Sequence, residues 1–376
     1  MKVKFGEIVL DTKAKVDRND NPYDYYVAGD HMDSEDLEIH RRGCFATDDV
    51  GPAFIRLFHA GQVLYGSRRT YLKKIAVADF DGVTANTTFV FETKDPNVLT
   101  QELLPFIMLS NKFTEYSILK SKGSTNPYVL FSDLADYEFE LPDIEKQREL
   151  ADLLWSMEYS KRAYRKMIEA TDELVKSQFI EMFIGKGYPV YALSELCSKI
   201  TDGTHKTPDY QDSGVVFISA KNVSQGFLDL SDVKYITQKE YEEIQKRCQT
   251  ERGDVILSKS GTLGVPAIID TDISLGIFES LAVLKYDRSR IDGTFLKEQL
   301  RSEQVQLQLL SGVKGVAVKH LHLNVISSTQ IIVPPLDDQK RFGAFVEQSD
   351  KSKFELHKSL AELTAMQKKI IEQNLT

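Results

Sequence analysis

The chain has 376 residues, well above the ~150 of an average domain, so two or three folding units are expected. Hydrophobic residues make up 42% and charged residues 27%, with a mean hydropathy of −0.29, which excludes a disordered polymer. Lys and Arg number 47 against 56 Asp and Glu, a formal charge of −9, which excludes a surface coated throughout with cations for nucleic acid.

The N-terminal run Met1-Lys2-Val3-Lys4-Phe5-Gly6-Glu7 has no apolar stretch of the signal-peptide kind, and no run reaches the ~18 apolar residues of a membrane span, so a cytoplasmic chain is expected. Cys44, Cys197 and Cys248 are widely spaced and form no Cys-x-x-Cys pair, which argues against disulfides and thiolate zinc. After an acid-rich stretch at Asp20–Glu38, short β-like runs such as Phe89-Val90-Phe91 alternate with Gly, Asn, Asp and Pro turn signals. A closing strand at Tyr137–Leu141 and Pro142 then lead into a long segment of helix formers. The second half repeats this order: β-like Val215–Ile218 and Leu281–Leu284, a closing strand at Gln330–Val333, Pro334, and a second long helical segment. Pro142 and Pro334, each followed closely by acids, suit a helix's first turn.

The two halves are copies. Pro142 and Pro334 lie 334 − 142 = 192 residues apart. The same shift carries Gln147 to Gln339, Gly61-Gln62-Val63-Leu64 to Gly253-Asp254-Val255-Ile256, Lys122-Gly123 to Lys314-Gly315, and Leu134 to Ile326. It also preserves a heptad stripe. Leu150, Leu154, Met157, Tyr164, Ile168 and Val175 mark it in the first copy, and Phe342, Val346, Leu356, Leu360, Leu363 and Ile370 in the second, with Lys161, Thr171, Lys353 and Gln367 interrupting it. The expected fold is α+β: mixed α/β domains at 1–140 and 187–333, and long helices at 141–186 and 334–376 forming an antiparallel coiled coil. The alternative is that each helix packs on its own domain. Helices of ~40 residues at ~1.5 Å each would be ~60 Å long, a rigid spacer holding two sites at fixed separation.

Positive charge gathers in four acid-free windows that match in pairs under the repeat. Residues 61–74 carry Arg68, Arg69, Lys73 and Lys74, and Tyr116–Leu130 carries Lys120 and Lys122. Their counterparts are Val255–Ile269, with Lys259, and Ser311–Leu323, with Lys314, Lys319, His320 and His322. Each mixes Gly, Ser, Thr or Asn with cations, which suits phosphate contact by backbone, hydroxyl and ammonium groups. A single window would read as a solvated loop; four in matched places point to a nucleic-acid surface.

Catalytic signatures are sparse. Asn21-Pro22-Tyr23 and Asn126-Pro127-Tyr128 resemble the loop with which amino-methyltransferases grip a base, but each lacks a second proline and no Gly-rich turn for S-adenosylmethionine accompanies them. Phosphate-loop, zincin, hydrolase-elbow and nuclease patterns are missing. His320 and His322 alternate and share a face, with no third metal ligand in view. No catalytic residue, metal or cofactor is assigned to this chain.

Ile200-Thr201-Asp202-Gly203-Thr204-His205-Lys206-Thr207-Pro208, Phe217-Ile218-Ser219-Ala220-Lys221-Asn222-Val223 and Gly226–Leu230 together resemble the target-recognition domains of type I restriction-modification specificity subunits. Gly253–Thr262, Leu64–Tyr71 and Val333–Gln339 are similar to further segments of that family. The resemblance spans essentially the whole chain, but the Asp-Gly-Thr-His run has no counterpart within Met1–Arg56. It implies a non-catalytic subunit whose two domains read the halves of a bipartite duplex DNA target. Its helices would dock two methyltransferase subunits carrying S-adenosylmethionine, and restriction-translocase subunits would join them. On this reading Arg68, Arg69, Lys73, Lys122, Lys206, Lys221, Lys259, Lys314 and Lys319 form the DNA face. Ser67, Thr70, Tyr71, Asn126, Tyr128, Asn222, Ser260, Thr262 and His320 make finer contacts. The competing reading is a helical assembly scaffold whose repeated domains bind protein.

Overall fold

A computed structural model of the chain describes residues 1–17, 20–311 and 320–375. It divides into two compact units, Met1–Lys166 with His357–Thr376, and Met167–Leu356.

In the first unit, strands Val9–Asp11, Thr88–Thr93, Val63–Gly66 and Ile75–Val77 form an antiparallel four-stranded sheet in that order. A second sheet, ordered Gly43–Cys44, Tyr25–Val27, Gly82–Ala85 and Phe54–Phe58, contains one parallel pair, Tyr25–Val27 with Gly82–Ala85. The second unit repeats the plan. Cys197–Asp202, Leu281–Tyr286, Val255–Ser258 and Pro266–Ile268 make the antiparallel sheet. Lys234–Ile236, Val215–Ile218 and Leu275–Ile277 make the mixed one, again with a single parallel pair. Val255–Ser258 is buried at every residue because both edges are paired and both faces covered, which suits its unbroken Val-Ile-Leu run. Each unit also has a two-stranded ribbon. Lys2–Lys4 pairs with Glu138–Glu140, and Val190–Ala192 pairs with Gln330–Ile332.

The long helices are Ile144–Phe183 and Leu336–Asn374. The prolines expected in their first turns stand just outside them. Asp143 caps the first helix instead, its Oδ1 accepting from Lys146 N at 2.9 Å. The repeated glutamine explains how each helix is fastened to its domain. Gln147 is buried and donates from Nε2 to Pro142 O and Val98 O, both at 2.9 Å, while Oε1 accepts from Thr100 N at 3.1 Å. Gln339 does the same with Pro334 O, Arg290 O and Asp292 N at 2.8, 3.0 and 2.9 Å. All three partners obey the 192-residue shift. An amide suits the position because it offers two donors and an acceptor without charge.

The two helices pack together, antiparallel. In the first unit Leu150, Leu154 and Met157 are buried in one core with Ile371 and Leu375, and Leu363 and Ile370 pack at its margin. In the second, Val175, Phe179 and Phe183 meet Phe295, Phe342 and Val346. Tyr164, Ile168, Leu356 and Leu360 are half-buried. The polar interruptions of the stripe are paired. Lys161 Nζ lies 2.7 Å from Glu158 Oε1 and 3.0 Å from Gln367 Oε1, Gln367 Nε2 donates to Glu158 Oε1 at 2.9 Å, and all three side chains are buried. Lys353 pairs with Asp172 at 2.7 Å. The acid-rich stretch is also engaged, Asp36 with Arg165 and Glu38 with Arg162, both on the first long helix.

Candidate nucleic-acid interface

In each unit, backbone bonds bring the two basic windows together. The chain leaving strand Val63–Gly66 meets the second window where Val129 N donates to Ser67 O at 2.9 Å, beside an antiparallel bridge between Arg68 and Tyr128. At the 192-residue shift, Leu321 N donates to Lys259 O at 2.8 Å, beside a bridge between Ser260 and His320. A third segment closes each clasp, with Ser67 N donating to Thr87 O at 3.2 Å and Lys259 N to Ser280 O at 2.7 Å.

The first clasp is completed by Arg69 N donating to Pro127 O at 2.7 Å and by reciprocal bonds between Lys122 and Tyr128 at 2.7 and 2.9 Å. Asn126-Pro127-Tyr128 therefore serves as a structural turn. Asn21-Pro22-Tyr23 is a local turn as well, with Asn21 Oδ1 accepting from Tyr23 N at 3.0 Å. Arg69 and Lys73 sit at φ of 50° and 45°, flanking the tight turn Thr70–Leu72. Such strain in non-glycine residues persists where surrounding bonds over-determine it, commonly at functional loops. Arg68, Arg69, Tyr71, Asn126 and Tyr128 are exposed here, with the Arg68 guanidinium 5.9 Å from the centre of the Tyr128 ring. Lys122 is half exposed and paired with Asp133 at 2.8 Å.

Five residues expected on the DNA face are turned to structural work. Lys73 is nearly covered, bonding Glu35 at 2.9 Å and Asn111 Oδ1 at 3.1 Å. Ser67 is buried and donates to Thr87 O, and Thr70 is buried with its hydroxyl 3.3 Å from that of Ser121. Asn222 is buried, accepting from Ser219 N at 3.1 Å and donating to Asp229 O and Asp232 O, both at 3.0 Å. Lys259 is 2% exposed and held by Asp202.

Asp202 explains the Asp-Gly-Thr-His run. It ends strand Cys197–Asp202, is itself buried, and takes Lys259, Arg247 and, at 3.4 Å, His205. Burial alone would push its carboxyl up, but the Lys259 ammonium and then Arg247 and His205 outweigh this and hold it below the usual carboxylate value. Gly203 follows because a Cβ there would stand 1.9 Å from Ile277 O, where Thr204 N donates to that carbonyl at 2.9 Å. His205 Nδ1 then reaches Glu279 at 2.6 Å.

Lys206 and Thr262 are exposed, Ser260 is partly exposed, and Lys221 is half exposed against Asp232 at 3.0 Å. His320 is partly buried; burial, and then Lys259, lower its pKa, favouring the neutral ring. Its ring centre lies 5.6 Å from that of His322. Lys314 and Lys319 lie outside the described residues.

Sequence reasoning missed Lys13 and Lys15, which are exposed just beyond strand Val9–Asp11. They line a cleft of about 620 Å³ with Asp11, Arg56, Asn86, Phe89, Leu130 and Phe131. The available signal was Lys-x-Lys in the short acid-free run Thr12–Val16. Burial pushes the Cys197 and Cys248 thiols up to about 12 and about 11, leaving neither a ready nucleophile. Among the described residues, no group of three His, Cys, Asp or Glu is placed to hold a metal, and no helix is long and apolar enough to cross a membrane.

A family model described as the type I restriction modification DNA specificity domain matches residues 13–168 and again 185–365. The MjaVIII type I restriction enzyme specificity subunit of Methanocaldococcus jannaschii is 21% identical over 319 residues, covering 78% of this chain and 74% of the relative. The MjaIX specificity subunit of the same organism is 23% identical over 322 residues, covering 78% and 72%. Among solved structures, the type I restriction-modification S subunit from M. genitalium superimposes with a TM-score of 0.60 at 14% identity, over 100% of this chain and 95% of that one. A chain from a study of complex assembly and conformational transition in a type I R-M system gives 0.57 at 19% identity, over 100% and 97%. At these identities the structures speak for the fold. The double match to the family model, one to each copy of the repeat, makes this chain a member of the type I restriction-modification DNA specificity family.

Proposed function

We propose that the chain is the non-catalytic specificity subunit of a type I restriction-modification complex, reading a bipartite duplex DNA target through domains 1–140 and 187–333. The observation that carries this is the duplicated clasp, which joins corresponding segments at one place in each domain by equivalent backbone bonds. Helices 141–186 and 334–376 serve as the spacer and as the docking surface for two methyltransferase subunits, which bring S-adenosylmethionine. Restriction-translocase subunits join that assembly in the cytoplasm. The acidic total of the chain fits a DNA surface that is only part of the chain, with partners supplying further phosphate contacts.

The DNA face comprises Arg68, Arg69, Tyr71, Lys122, Asn126 and Tyr128 in the first domain. In the second it comprises Lys206, Lys221, Ser260, Thr262 and His320, together with Lys314 and Lys319. Arg68 is exposed beside an aromatic ring, and arginine can grip guanine by its O6 and N7 edge. In the assembled methyltransferase complex, Arg68→Ala is expected to cost about 1–3 kcal/mol in binding, either at one base position or evenly across sequences. Binding that ignores substitutions throughout both clasps would overturn the reading. A shallow salt dependence would mark instead a scaffold that binds protein.

A further inference from the structure

We propose that the cleft beside Lys13 and Lys15 is an additional backbone-phosphate site of the first domain, holding a DNA phosphodiester next to the clasp. The inference rests on the DNA-reading role above and extends it to a segment with no Asp-Gly-Thr-His run.

Charge is the first argument. Several lysines of this domain are paired with acids: Lys2 with Glu138, Lys4 with Asp136, Lys73 with Glu35 and Lys122 with Asp133. Lys13 and Lys15 are exposed, and Lys13 acts on the Asp11 carboxyl less strongly than Arg56 does. The cleft they line contains one acid, Asp11, which is buried and already joined to Arg56. That pair cancels, so two positive charges face the opening.

The walls are the second argument. Phe89, Leu130 and Phe131 give the cleft apolar sides. A cleft of one charge sign with low-dielectric walls focuses its field and attracts the opposite charge more strongly than the same lysines would on an open surface. Two ammonium groups on flexible stems suit a phosphate oxygen, which accepts from any direction, better than the planar edge of a base.

Position is the third. Asn86 and Leu130, which border the cleft, are the chain neighbours of Thr87 and Val129, whose backbones bond to Ser67. The cleft therefore opens beside Arg68 and Tyr128. The second domain places lysine at the same point: the chain leaving Cys197–Asp202 carries Lys206 and borders a cleft of about 430 Å³, where Lys239 and Arg247 stand beside Glu240 and Glu243. In both copies the exit from the first strand of the antiparallel sheet presents lysine to solvent.

The test uses the complete complex and two duplexes, one carrying the site mapped from methylated adenines in cells with the whole system, the other scrambled. Lys13→Ala/Lys15→Ala is expected to weaken binding to both duplexes by a similar factor. The slope of log K against log salt should become shallower by about two, one for each released contact, with the methylated sequence unchanged. Lys13→Arg/Lys15→Arg should restore the slope. An unchanged slope in the alanine variant, while Arg68→Ala/Arg69→Ala lowers it, would overturn this site and leave the DNA-reading role standing. A loss confined to the mapped duplex would also overturn it, since that is the mark of base reading. If neither pair of substitutions alters the slope, the underlying role itself fails.

Discussion

Asp202→Ala gives the sharpest test of how the second domain is held together. The Asp202 and Lys259 side chains are each 3% exposed, whereas the Arg247 side chain is 54% exposed. Removing the carboxylate strands a buried ammonium, a change that costs about 3–5 kcal/mol in buried pairs. Removing Arg247 leaves Asp202 with its buried partner and should cost no more than about 1 kcal/mol, because the lost contact lies in solvent. For a body of this size each kcal/mol lowers the melting midpoint by ~2–4 °C, so Asp202→Ala should lower it by roughly 6–20 °C and Arg247→Ala by a few degrees at most. The double variant Asp202→Ala/Lys259→Met removes both charges and should recover most of the loss. The folded carboxyl is held below its ordinary 3.8, so its stabilising contribution is full above about pH 4 and fades as the pH falls through the lowered folded value. Thermal melts from neutral to acid pH should therefore show wild type and Asp202→Ala converging at the acid end. Equal losses for Asp202→Ala and Arg247→Ala, or no recovery in the double variant, would refute the reasoning.

Two further outcomes concern the helices. Lys161→Ala leaves Glu158 buried beside Gln367 without its cation and should cost about 3–5 kcal/mol. The triple replacement Glu158→Leu/Lys161→Met/Gln367→Leu should fall within about 1 kcal/mol of wild type or exceed it, with urea denaturation comparing the two. Gln147→Leu strips partners from two backbone carbonyls and one N–H, and Gln339→Leu does the same in the other copy. Each should lower stability by about 2–4 kcal/mol, read from the denaturation midpoint, and equal losses would express the equivalence of the two fastenings.

Much of this architecture could be read from the sequence, because duplication turns one reading into two. The shift that relates Gln147 to Gln339 also relates strand Val63–Gly66 to Val255–Ser258 and the start of one long helix to that of the other. It falters at the start of each half: Lys2–Lys4 corresponds to Val190–Ala192, a displacement of 190 − 2 = 188, so the 192-residue shift does not relate the first strands. The DNA face was less legible. A window free of acids in sequence need not be free of them in space. Glu35 reaches Lys73 and Asp202 reaches Lys259 from segments far along the chain. Lys13 and Lys15 are inconspicuous in the sequence for the complementary reason: acids at Asp11 and Asp17 bracket them, while the fold spends Asp11 on Arg56.

The clasps are fastened by main-chain amides and carbonyls, so they ask almost nothing of the side chains they display. Proline would break them at Arg69, Tyr128, Val129 or Leu321, where an N–H is donated, but most other residues leave the bonds intact. Vocabulary and grammar are thus separated: on the proposed reading, the letters offered to DNA can be exchanged while the frame stays put. Retargeting such a protein becomes a matter of rewriting exposed tips rather than rebuilding a core.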